Sequence, residues 1–220
     1  MSAEPQIFMR EPVLDTVERV SEMCFGLFMA LTFVGAVNAI GDEKQTGVAM
    51  FYTAFGCNLA WGLVDAVMYL VRTITNRGKV LSLSRAVRRA PNAAAGAKVL
   101  RNGLPQQLAS LMGDAEIEAI RGRVVAMSLP EKPRLSGRDL FGAFGIFLIV
   151  VASTFPVALP FVLMDNPKTA LVVSRILTLV MLFGGGLALG KFAGYGSWRT
   201  GMAMVGLGIV LTIAIIALGG

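Results

Sequence analysis

From Leu140 to Met164 no residue carries a charge, and none does from Met202 to Gly220. Runs of this length match the roughly 20 apolar residues that a helix needs to cross the hydrocarbon core of a bilayer. Inside lipid every backbone amide and carbonyl must be satisfied within the structure, so such runs are expected to be helical. Three further stretches read the same way: about Glu22 to Ile40, about Val48 to Leu70, and about Thr169 to Leu189. Composition agrees, with 55% hydrophobic residues, 15% charged residues and a mean hydropathy of +0.68. The sequence therefore predicts an all-α integral membrane protein with five transmembrane helices. Residues 1–19 are polar, carry both charge signs and hold two prolines. They do not read as a cleavable signal, so the first apolar run is expected to remain as a span.

The chain divides into four parts. Residues 1–21 form an N-terminal segment ending in a short amphipathic lead-in, Asp15 to Ser21, with Val13, Leu14, Val17 and Val20 on one side. Residues 22–71 hold the first two spans, joined by the polar connector Gly41 to Gly47. Residues 72–138 carry 13 Lys and Arg against four acids and are broken by Pro91, Pro105, Pro130 and Pro133. Short amphipathic helices fit Val80 to Arg89, Ala93 to Met112 with a break near Pro105, and Asp114 to Met127 with Asp114 as N-cap. Residues 139–220 hold the last three spans. Pro156 and Pro160 should kink or break the outer half of the third, and DNPK should reverse the chain into the fourth. Gly184, Gly185 and Gly186 invite close helix approach.

Charge sets the orientation. Arg10, Arg19, the basic segment, Lys191 and Arg199 fall on one side of a five-span arrangement, and only the mixed DEK and DNPK turns fall on the other. The positive-inside rule places the N-terminus and a helical cytoplasmic insertion inside, and the C-terminus outside. The insertion lacks interleaved aromatics or any nucleic-acid motif, so anionic lipid headgroups, not nucleic acid, are its expected contact. The Gly- and Ala-rich spans and compact length point to a bacterial inner membrane.

The second span contains the main candidate site. In a helix Asn58, Trp61, Asp65 and Met68 share one face. A carboxylate at membrane depth costs about 2.5 kcal/mol or more and normally faces a partner, a water-filled path or an ion. Asp65 lies about 10 Å from the inner end of its span, and Glu22 opens the first span from the same side. With Met29 seven residues after Glu22, the set Glu22, Met29, Asn58, Asp65 and Met68 mixes hard oxygen with soft sulfur. That mixture suits ferrous iron or manganese better than calcium, and paired carboxylates make proton exchange feasible. The alternatives stay open: Asp65 pairing with another helix, Glu22 as an interfacial helix-end acid, and both methionines as packing. Arg175 reads as structural, either snorkelling outward or pairing with Asp165. The chain has no histidine, which excludes His-based chemistry, and Cys24 and Cys57 form no CxxC pair. Without a nucleophile motif, a phosphate-binding glycine loop or a metalloprotease helix, enzymatic activity is not expected, nor is a permanently bound cofactor.

Several stretches resemble the vacuolar iron transporter family. ERVSEMCFGLFMALTFVGAV is similar to its first helix, with an acid at the cytoplasmic end, and AFGCNLAWGLVDAVMYL to its second. FPVALPFVLMDNPKTALVVSRILTLVMLFGGGLALG resembles the double-proline third helix, turn and fourth helix. GYGSWRTGMAMVGLGIVLTIAIIALGG is similar to the closing loop and fifth helix. The resemblance implies a five-span homodimer that exports ferrous iron or a related divalent ion from the cytoplasm in exchange for protons. Glu22 matches the first-helix acid, and Asp65 and Met68 would serve as second-helix ligands. Leu63 occupies the place where the family usually has its glutamate. The family's insertion is rich in glutamate and collects metal; here only Asp114, Glu116 and Glu118 could take that role. Two other readings are kept: a transporter or channel of the same fold for another substrate, and a non-transporting scaffold whose basic lobe recruits a partner.

Overall fold

The computed structural model describes residues 16–39, 47–194 and 196–217, and all its regular structure is helical. The N-terminal polar stretch and most of the Gly41–Gly47 connector lie outside the described residues. In chain order the helices are α1 (Thr16–Ala39), α2 (Gly47–Arg88), α3 (Ala93–Gly103), α4 (Gln106–Leu111), α5 (Asp114–Ala126), α6 (Gly137–Ala158), α7 (Pro160–Leu163), α8 (Pro167–Ala193) and α9 (Ser197–Ala217). Among the described residues four segments are long and apolar enough to cross a membrane: Phe51–Arg88, Gly137–Leu163, Pro167–Phe192 and Ser197–Ala217. The chain is a multi-pass membrane protein.

Several boundaries follow directly from local chemistry. Leu159 separates α6 from α7, between Pro156 and Pro160, where two missing amide donors interrupt the ladder. Asn166 caps α8 by accepting from the amides of Lys168 and Thr169, with Pro167 in the first turn. Gly194 ends α8 at φ 74°, a left-handed conformation that suits glycine. Three sequence expectations need correction. The lead-in is not separate, because α1 runs from Thr16 without a break. Likewise α2 continues from the span through Arg88, since the change to basic character at Arg72 alters polarity without removing helix propensity. The N-cap of α5 is Gly113, so Asp114 is the first helical residue and Glu116 accepts from the Gly113 amide at 2.7 Å.

The described helices fall into two compact units, one of residues 69–140 and one comprising residues 16–68 and 141–217. In the second unit α8 packs against α1 and α9. Its core gathers Cys24, Leu27, Ala30 and Leu31 from α1 with Val157 and Leu182. Two of the three consecutive glycines are used for close approach. A Cβ on Gly185 would meet Cys24 Sγ of α1, and one on Gly186 would meet the backbone of Thr200 and Gly201 of α9. Nothing lies near Gly184. Ser174 of α8 donates to the Val157 carbonyl of α6 at 2.8 Å, a buried cross-helix bond beside the proline break.

The unit of residues 69–140 has a core of its own. Val87, Leu100 and Ile117 are buried and join the last part of α2 to α3 and α5. Arg77 holds Asp139 through two bonds, Nη1 to Oδ2 at 2.6 Å and Nη2 to Oδ1 at 2.8 Å, and also donates to the Arg134 carbonyl. Asp139 further accepts from the Ser136 amide and hydroxyl, while Ser136 Oγ receives the Asp139 amide. Ser136 and Asp139 thus form a reciprocal capping box at the start of α6.

Candidate functional site

The candidate site is built on α2 in the unit of residues 16–68 and 141–217. One file of this helix is small or polar and turned inward: Ala54, Asn58, Gly62, Asp65 and Ala66. Glycine at position 62 lets α6 come close, since a Cβ there would lie 3.2 Å from the Phe147 ring and 3.3 Å from its carbonyl. Higher on the same pair of helices, Phe51 and Phe55 stack on one another and meet Phe155 edge-on. α2 therefore runs antiparallel to α6.

Asn58 is 1% exposed. Its Nδ2 donates to the Ala54 carbonyl at 3.0 Å, whereas its buried Oδ1 receives no hydrogen bond among the described residues. An unfilled buried acceptor costs about 1–3 kcal/mol, so this oxygen is a ready ligand for a water, a proton donor or a cation. Asp65 follows seven residues later, within about 20° of Asn58 around the helix and about 10 Å along it. Asp65 is half-buried, and its Oδ2 is sealed from solvent.

Trp61 and Met68 form a second file, rotated by about 60° from the first. They are 39% and 46% exposed. The face expected to hold all four residues thus divides into an inner pair, Asn58 and Asp65, and an outer pair, Trp61 and Met68. On α1, Glu22 and Met29 are half-buried. Gly26 between them sets α1 against α6, because a Cβ there would sit 2.7 Å from Ser153 Oγ and 3.3 Å from the Val150 carbonyl. Phe25 meets Trp61 edge-on with ring centroids 6.5 Å apart. Glu22 lies about one turn before Phe25, and Asp65 about one turn after Trp61 in a helix of opposite direction. The two carboxylates therefore fall on the same side of that aromatic contact.

Sequence reasoning passed over the buried hydroxyls of α6 and α8 in the same unit. Ser153, Thr154, Ser174 and Thr178 are buried, and each donates to a backbone carbonyl. Their signal was available as Ser and Thr within otherwise apolar runs. Arg175 is half-buried and makes no ion pair among the described residues, so the possible pairing with Asp165 is not formed.

The weaker candidates lie on α5 in the other unit. Asp114 binds Arg101 Nη2 at 2.7 Å, Glu116 accepts from the Gly113 amide, and Glu118 takes two bonds from Arg121. Hydrogen bonding from Arg121 holds the exposed Glu118 carboxyl below the usual range. The three acids are turned to three different partners. Among the described residues no three His, Cys, Asp or Glu side chains converge as a metal group. No protein-family model matches this sequence, and no curated protein is similar to it.

Proposed function

We propose that the chain is a five-span transporter that moves a divalent metal ion, ferrous iron or manganese, out of the cytoplasm in exchange for protons. This is the activity of the vacuolar iron transporter family that its sequence resembles. On this reading α1, with 24 residues and about 36 Å of helix, supplies the fifth crossing. Residues 72–138 form the cytoplasmic insertion, the N-terminus is inside, and two copies pair as a homodimer in a bacterial inner membrane. Basic side chains flanking the spans, Arg72 and Arg138 among them, would meet anionic headgroups.

The observation that carries the proposal is Asn58 Oδ1, a buried acceptor with no donor among the described residues, in one file with Asp65. That oxygen lies on the same stripe as an intramembrane carboxylate, where it can accept from a proton donor or ligate an ion. Glu22 and Asp65 capture the ion, Asn58 relays it, Met29 and Met68 add sulfur where their files permit, and protons return on the carboxylates. A second cargo class on the same scaffold is favoured by one fact, the lack of a converging group of three strong ligands among the described residues.

The test is flux into proteoliposomes under an imposed pH gradient, wild type beside Asp65→Asn and Asn58→Leu. Gradient-driven uptake of ferrous iron or manganese should fall at least about tenfold in Asp65→Asn, equivalent to about 1.4 kcal/mol at the barrier. Absence of metal flux in folded wild-type protein, or wild-type flux in both variants, would overturn the proposal.

A further inference from the structure

The last turn of α2 carries Arg85 and Arg88, and Arg89 follows it with its amide still bonded to the Arg85 carbonyl; the transport reading uses none of the three. Arg85, Arg88 and Arg89 stand at i, i+3 and i+4, within about 100° of arc. Together with Leu129, Pro130 and Glu131 they line a cavity of about 290 Å³, close to the lower limit of about 300 Å³ for small-molecule sites. Like charges at this spacing repel one another, so a helix gains nothing from stacking them unless something neutralises the set.

We propose that this cavity binds a phosphate group. Three features support it. The first is charge: three guanidinium groups against the single carboxylate of Glu131 leave an excess of two positive charges, and the roughly half negative charge at a helix C-terminus does not cancel it. The second is preorganisation. Arg85 Nη2 donates to the carbonyls of Pro130 and Glu131, and Arg88 Nη1 reaches the Met127 carbonyl at 3.5 Å. These bonds fix the cavity wall while leaving most guanidinium donors free. The third is availability. The Arg89 guanidinium makes no hydrogen bond or ion pair among the described residues and is exposed. Planar guanidinium forks match tetrahedral phosphate oxygens in pairs, whereas isolated lysines would act only as point charges.

A phosphate could arrive on a lipid headgroup or on a soluble anion, and on the proposed topology, in which α2 leaves the bilayer near Arg72, distance along the helix favours the second. Arg85 follows Arg72 by 13 residues of the same continuous helix, about 20 Å. The polar headgroup layer is only about 5–8 Å deep on each side.

The experiment uses the full chain in an uncharged detergent or in nanodiscs. Inorganic phosphate and glycerol 3-phosphate are titrated calorimetrically, and phosphatidic acid and phosphatidylcholine adducts are counted by native mass spectrometry. Variants are Arg88→Gln with Arg89→Gln, the charge-matched pair Lys98→Gln with Arg123→Gln outside the cavity, and Glu131→Gln. The cavity pair should weaken phosphate binding about tenfold or more, and the control pair about twofold at most. Glu131→Gln should tighten binding by roughly threefold through removal of the opposing charge, a gain that misfolding cannot produce. Saturable binding of the soluble phosphates identifies a soluble ligand; cavity-dependent binding of phosphatidic acid alone identifies a headgroup. No binding from either source, or equal losses in the cavity and control pairs, would overturn the proposal.

Discussion

Replacing Gly186 by alanine tests the packing that holds α8 against α9. A Cβ at this position would lie 2.6 Å from the Gly201 Cα, 2.8 Å from the Thr200 carbonyl oxygen and 2.9 Å from Met204 Cγ. Two of those atoms are backbone and cannot rotate away. Carbon atoms pack at about 3.5–4.0 Å, so the helices must part by about 1 Å at the crossing. A gap of that size forfeits a quarter to a half of each dispersion contact along the seam, and overpacking of this kind costs about 1–3 kcal/mol. Alanine also gains about 1 kcal/mol of helix propensity over glycine, which would hide part of the loss. Gly184→Ala supplies the correction, because it receives the same propensity gain with nothing within 4 Å of its Cβ. The difference between the two variants isolates the clash, and Gly186→Ala should be the less stable by about 1–3 kcal/mol. Trp198 reports on this seam, since its ring meets Phe183 edge-on at 5.0 Å. Its fluorescence can be followed during detergent-induced unfolding in a Trp61→Phe background. Equal stability of the two variants would refute the account of α8 and α9 as a glycine-mediated contact.

The features legible in the sequence were those governed by neighbours along the chain. Asn166-Pro167 marks the start of α8 because the cap and the fixed φ act within a few residues, and Pro156 with Pro160 breaks the third apolar run for the same reason. The position of Asp114 was missed by one residue because Gly113 could supply the extended cap conformation equally well. The α2 face was legible only to about 60°: spacings of i, i+3, i+7 and i+10 look continuous on paper but form two files. Burial separates Asn58 and Asp65 from Trp61 and Met68. Of the three consecutive glycines, spacing could not tell that 185 serves α1, 186 serves α9 and 184 serves neither. The Arg77–Asp139 pair joins residues 62 positions apart, and no local pattern encodes such a partner. Half of that arrangement could have been read, since Ser136-x-x-Asp139 before an apolar run is a capping-box signature.

Two further expectations concern the ion pairs of residues 69–140. Glu118 titrates below the usual carboxylate range when folded, so its pair with Arg121 contributes above the unfolded value of about 4.3 and is lost as pH falls through the folded value. The stability difference between wild type and Glu118→Gln should be constant from about pH 7 to 5 and shrink below about pH 4; a pH-independent difference would contradict the pairing. The Arg77–Asp139 pair should matter far more. Asp139 is 5% exposed, accepts from two arginine nitrogens and two Ser136 donors, and leaves Arg77 without its counter-charge when neutralised. Removing one member of a buried pair costs about 3–5 kcal/mol, and because Arg77 retains some solvent contact, Asp139→Asn belongs near the lower figure, about 3 kcal/mol. Asp114→Asn breaks the 2.7 Å bond from Arg101, but the Asp114 side chain is fully exposed, so that loss stays within about 1 kcal/mol. Denaturant midpoints of the two variants therefore have to separate; if they coincide, the Arg77 bonds to Asp139 add nothing beyond an ordinary surface pair.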